Sequence, residues 1–148
     1  MSKPLKTKAI NRIIDANINR AKEGLRVTEE ITRFILDNRS LTEDLKKIRH
    51  SLDSILNKFP AKKELLEQRY SLRDVGFDIF VKSEFKRKDF KDIFFANMQR
   101  VKESIRVLEE FSKLIDTKIA SGFKKIRYNI YETEKKIAKK ILSLPNHR

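Results

Sequence analysis

An asparagine, an arginine and a glutamate recur at intervals of three residues in two places along this chain of 148 residues: Asn17, Arg20 and Glu23, then Asn97, Arg100 and Glu103. Each residue type brings a defined chemistry. A guanidinium presents forked donors that match phosphate oxygens. A carboxamide reads the edge of a heterocycle or holds a phosphate. A carboxylate supplies the oxygen ligand that Mg2+ prefers. The set suits a phosphorylated substrate together with a nucleotide–metal complex. It equally describes a structural polar seam, with Arg20 paired to Glu23 at i, i+3 and Asn17 pinning the register between helices.

Other chemistries are excluded. There is no cysteine, so no disulfide, thiolate zinc site or cysteine nucleophile exists. Neither G-x-x-x-x-G-K-[ST] nor G-x-G-x-x-G occurs. The Glu-x-x-His pattern of di-iron bundles is missing, since Lys47 stands three residues before His50. His50 reads as a packed or surface helix residue or as a ligand-binding group, and His147 lies in the tail beyond Pro145.

The elements that carry these residues are repeated. Residues 12–36 align with 92–116 at an offset of 80, with eleven of 25 positions identical. Lys46-Lys47-Ile48-Arg49-His50 then matches Lys124-Lys125-Ile126-Arg127-Tyr128 at an offset of 78. Apolar residues at 14, 18, 21, 25, 31 and 35, with Thr28 between them, follow helical spacing. Phe94, Met98, Val101, Ile105, Leu108, Phe111 and Ile115 repeat it. On a helical wheel, Asn17 falls inside the apolar sector and Arg20 at its edge. Asp37 to Ser40 breaks the first helix, Thr42 is a candidate cap for the next, and Pro60 stops it. Long helices over about 88–116 and 118–144 form the second half, with Ser121-Gly122 a weak point in the last.

The expected fold is all-α: a pseudo-twofold bundle of two repeated long helical hairpins joined by an irregular crossover. A single helical domain over 1–148 is expected, with repeats at about 10–59 and 90–144 and a connecting segment at 60–89. Within that segment, Arg69 to Gly76 occurs once and breaks the twofold. It offers Arg73 and Asp74 as functional groups, or simply a turn with Gly76 at positive φ capped by Asp74.

The net charge is +14, and residues 117–148 contribute nine Lys/Arg against two Glu. Such a field attracts polyanions or small phosphorylated ligands, or only keeps a face solvated. No nucleic-acid motif accompanies it, so nucleic acid is not an expected partner. No apolar run approaches the roughly 18 residues of a membrane span. Met1 to Asn11 is basic without the apolar core of a signal peptide, so a cytoplasmic protein is expected.

The stretch A-N-x-x-R-x-K-E-G-L-R-V-x-E-E at 16–30, its echo at 96–110, the K-K-I-R-H block and the R-x-x-x-x-D-V-G loop at 69–76 resemble a thiamine-biosynthesis family. It is the small hydroxymethylpyrimidine phosphate kinase family, distinct from the ribokinase-like type, whose members stand alone or are fused to thiamine-phosphate synthase and are often labelled thiamine-phosphate pyrophosphorylase. The resemblance covers about residues 10–135. It implies phosphoryl transfer from ATP, with Mg2+, to hydroxymethylpyrimidine phosphate. On that basis Arg20, Arg100, Arg49 and Arg127 are expected to clamp phosphate and Arg73 to stabilise transferring charge. Asp74, Glu23 and Glu103 are the candidates for metal. Asn17, Asn97 and His50 are expected on the substrate, and Lys22 and Lys102 on the nucleotide. One asymmetric site per chain is expected, with a homodimer as the form in which a second copy completes it. Association with thiamine-phosphate synthase is the expected protein partnership. The alternatives are a helical module of a synthase without its own activity, or a basic nucleic-acid-binding protein.

Overall fold

In the computed structural model every regular element among the described residues, which are 3–60, 62–67, 69, 71–79 and 86–145, is a helix. Tyr70 and His147 lie outside them. Helix α1 (Lys3–Glu30) runs into a π-helical turn at Ile31–Ile35, followed by α2 (Arg39–Leu56). The connection holds a short α3 (Lys62–Glu67) and a 3-10 turn at Ser71–Arg73. Then come α4 (Phe90–Ser112) and α5 (Thr117–Leu142). Each half is thus a hairpin of two long helices, α1–α2 and α4–α5. The two pack together chiefly through α1 against α4, with α2 against α5 beside them.

Helix starts are set by side chains that accept the orphan amides of the first turn. Asn38, with extended backbone, accepts from Leu41 N at 2.9 Å. Asp89 caps α4 through Lys91 N and Asp92 N at 3.0 and 3.1 Å, and Asp116 caps α5 through Lys118 N at 2.7 Å. Asn38 therefore replaces the expected Thr42 as cap of α2. Thr42 is buried, donates to the Asn38 carbonyl at 2.7 Å and meets the Thr32 hydroxyl at 3.0 Å. Gly122 does not disturb α5. It lies where that helix crosses α2, and a methyl group there would sit 2.9 Å from Ile55 Cδ1.

The apolar stripes of both halves meet in one cluster that includes Ile14, Leu25, Leu52, Phe94, Met98, Phe123 and Ile130, all almost fully buried. Ile35 departs from the expected stripe and is 50% exposed. The π turn is the reason. Leu36 N bonds to Ile31 O, five residues back, and the wider turn rotates the following side chains off the core face. Asp37, at φ 49, then ends the helix.

Candidate active site

The two repeated helices approach closely because Gly24 lacks a side chain. A methyl group there would lie 2.6 Å from Val101 Cγ2 and 3.1 Å from the Asn97 carbonyl oxygen of α4. Beside this contact lies a cavity of about 700 Å3. Arg20 and Arg100, equivalent positions of the two repeats, both line it, together with Arg12, Asn17 and Glu23 of α1. Arg69 and Asp74 of the connecting segment and Asp15 of α1 complete its polar wall.

Arg12, Arg20 and Arg100 are exposed, and among the described residues none of the three has a carboxylate, ring or hydrogen-bond partner. Most other arginines are held: Arg26, Arg39, Arg49, Arg69, Arg106 and Arg127 by carboxylates, and Arg33 lies 4.9 Å from the Phe34 ring. Arg20 and Glu23 form no ion pair, so the polar seam they offered is not built. Asn17, 5% exposed, donates its amide to Ile13 O at 2.8 Å, and Asn97 makes the same bond to Ile93 O at 2.8 Å. Binding its own helix leaves the Asn17 carbonyl oxygen as the acceptor it brings to the cavity. Asn97 does not line it.

The connecting segment is tied to α1 by Arg69, whose Nε and Nη2 reach Asp15 Oδ2 and Oδ1 at 2.8 and 2.7 Å. This hydrogen bonding raises the pKa of Arg69. Asp74 Oδ1 accepts from Gly76 N at 2.8 Å. The expected turn is therefore present, but Gly76 makes it without positive φ.

The remaining candidates are placed elsewhere. Arg49 and Arg127 bind the buried carboxylates Glu29 and Glu109 at 3.2 and 2.8 Å, the same contact in each hairpin. Hydrogen bonds to Glu109 first, then to Tyr131, raise the pKa of Arg127. Lys22 and Lys102 bridge to Asp53 and Glu134 at 2.9 and 3.0 Å, again tying the first helix of each hairpin to its second. His50, Glu103 and Arg73 are not on the cavity wall, although Arg73 immediately precedes Asp74. Among the described residues no group of three or more His, Asp or Glu side chains is arranged to hold an ion.

Arg12 and Asp15 are not among the candidates named from the sequence, because neither is shared between the repeats. Their counterparts are Asp92 and Phe95, so the second repeat carries an acid and a ring where the first has an arginine on the cavity wall and the anchor for Arg69. The differences between the repeats, more than their identities, mark the asymmetric site.

The fold is a helical bundle built from a duplicated hairpin, with Arg12, Arg20 and Arg100, unpaired among the described residues, gathered where the repeats cross. The chain belongs to the ThiD2 family, whose model matches residues 12–136. It is 41% identical over 126 residues to a protein named thiamine-phosphate synthase from Synechocystis sp., a match covering 85% of this chain and 35% of that one. Proteins of the same name from Rhodopirellula baltica (38% identical, covering 93% of this chain and 36% of the relative) and Nostoc punctiforme (39%, covering 84% and 34%) are also similar. The chain thus spans about a third of the length of these relatives, and the family tie is to thiamine biosynthesis. No solved structure matches it significantly. No described helix is long and apolar enough to cross a membrane.

Proposed function

We propose that this chain transfers the γ-phosphoryl group of ATP to hydroxymethylpyrimidine phosphate, yielding the diphosphate and ADP. The observation that carries the reading is the convergence of Arg12, Arg20 and Arg100, unpaired among the described residues, on one cavity. Unpaired guanidiniums of two helices sharing one cleft repel each other, and a multiply charged anion relieves that repulsion.

The acceptor is a phosphate monoester, largely ionised near neutral pH, so a strong general base is not required. One of its oxygens attacks the γ-phosphorus, the bond to the β-bridging oxygen breaks, and ADP leaves with that electron pair. Catalysis then rests on neutralising charge and holding donor and acceptor in line. Arg20 and Arg100 face the transferring charge from the two repeats, and Arg12 adds a third cation on the α1 side. Asn17 orients the acceptor through its carbonyl oxygen. Arg69, through Asp15, holds the segment that presents Asp74.

Mg2+ binds through one or two carboxylates plus substrate phosphates rather than in an all-protein cage. Glu23 and Asp74 border the cavity, and Glu23 has no partner among the described residues, so this donor set fits an ion that arrives with the nucleotide. When bound, the ion supplies further neutralisation of the phosphates. A reaction that consumes ATP suits a cytoplasmic protein.

The relatives' names support a second reading, in which the chain serves a thiamine-phosphate synthase as a helical module or partner. The two are compatible chemically, since a synthase joining the pyrimidine diphosphate to a thiazole phosphate consumes the product proposed here. Incubation with ATP, Mg2+ and hydroxymethylpyrimidine phosphate, followed by 31P NMR, tests the first reading. The diphosphate resonances are expected. Their absence with folded protein and authentic substrate leaves the module reading.

A further inference from the structure

A second cavity, of about 570 Å3, lies against the first and has a different character. Its walls are Ile18 of α1, Leu56 at the end of α2, and Leu65 and Leu66 of α3, with Lys22 of α1, bridged to Asp53, also on its lining. Asp15, Asn19 and Arg69 border both cavities. The ion pair that anchors the connecting segment thus also marks the partition between them, with the cationic cavity on one side and the apolar cavity on the other. Asn19 donates its amide to the Asp15 carbonyl at 3.0 Å, which leaves its own carbonyl oxygen as an acceptor at the partition.

We infer that the apolar cavity seats the heterocyclic ring of the phosphate monoester whose phosphate occupies the cationic cavity, with Asn19 accepting from an exocyclic amine on that ring. This rests on the phosphoryl-transfer reading above and adds the site's specificity to it. Three observations carry the assignment. The volume falls within the roughly 300–1,000 Å3 of small-molecule sites. Four leucine and isoleucine side chains supply an apolar surface, and Asp15, Asn19, Lys22 and Arg69 supply polar groups, the combination that small-molecule sites use. The cavities share residues, so ring and phosphate must be joined by a short linker. A pyrimidine bearing a phosphomethyl group satisfies this. A nucleoside triphosphate places a sugar between its ring and its first phosphate, and two more phosphates beyond.

Leu66 lines this cavity and is 63% exposed, so its replacement leaves the core intact. The chain has no tryptophan, so Leu66→Trp introduces a unique fluorophore at the proposed ring site. Titration with hydroxymethylpyrimidine phosphate should shift the indole emission, whereas inorganic phosphate, bound in the other cavity, should leave it unchanged. Asn19→Leu should weaken the monoester by about tenfold or more in calorimetry, the loss of a hydrogen bond to a polar group, and leave inorganic phosphate binding within about twofold. Monoester binding without an emission shift, or an equal loss for monoester and phosphate in Asn19→Leu, overturns the ring assignment while leaving the kinase reading standing. A shift with a non-hydrolysable ATP analogue in place of the monoester assigns the cavity to the nucleotide and also overturns it. Failure of both monoester and phosphate to bind wild-type protein removes this inference and the phosphoryl-transfer reading together.

Discussion

Arg69 grips Asp15 through two parallel contacts of 2.8 and 2.7 Å, joining the one segment that occurs once in the chain to the first of its repeated helices. The Asp15 side chain is only 12% exposed. Arg69→Ala should therefore cost about 1–3 kcal/mol in urea denaturation, because a mostly buried carboxylate loses its partner. Asp15→Asn combined with Arg69→Ala should cost no more than Arg69→Ala alone. Arg69→Lys should recover only part of that stability, since an ammonium is a point charge and cannot make the parallel pair.

Gly24 sets how closely α1 and α4 approach. Gly24→Ala should destabilise the bundle by about 1–3 kcal/mol through overpacking against Val101 and the Asn97 carbonyl. Adding Val101→Ala should recover part of that loss, because the side-chain clash at 2.6 Å is removed while the carbonyl contact at 3.1 Å stays. Thermal unfolding followed by circular dichroism reads both.

Arg49 and Arg127 are engaged by Glu29 and Glu109, which are 2% and 5% exposed. Glu109→Ala should cost on the order of 3 kcal/mol by leaving Arg127 without its buried partner. Arg127→Ala should likewise lower stability. A phosphate clamp would behave differently, losing turnover at unchanged stability, so denaturation and kinetics on the same variant separate the two roles.

Glu110 has its pKa lowered below the ordinary 4.5, first by the hydrogen bond from Lys113 and then by its charge. Its folded value lies below its unfolded one. The pair's contribution is thus present above pH 4.5 and lost as pH falls through the lowered value. Lys113→Ala should bring the Glu110 carboxyl back toward 4.5 in an NMR titration. Added salt should do the same in part, since the pair is exposed.

Much of the architecture is legible in the residues themselves. The spacing of Ile14, Ile18, Ala21 and Leu25, echoed by Phe94, Met98, Val101 and Ile105, specifies two amphipathic helices that share a core. The matched Arg20 and Arg100 both line the cavity where the repeats cross. Two features are not legible. The π turn at Ile31–Ile35 displaces Ile35 from its stripe, and local hydropathy carries no sign of a wider turn. The pairing of Arg69 with Asp15 joins residues 54 apart in the chain, and nothing in either residue's neighbours selects it over the other carboxylates. Arg49 and Arg127 look identical to phosphate ligands in sequence. What engages them is Glu29 and Glu109, which lie 20 and 18 residues away on the facing helix.

The central claim is that Arg20 and Arg100, one from each repeat, act on a single anion. Isothermal titration of hydroxymethylpyrimidine phosphate and of inorganic phosphate into wild type, Arg20→Ala, Arg100→Ala and the double variant tests it most directly. Each single change should weaken binding by about tenfold or more with unfolding midpoints unchanged, and the double variant should depart from additivity, as groups sharing one ligand do. Undiminished phosphate affinity in both single variants would contradict the account and reduce the two arginines to solvated surface charge.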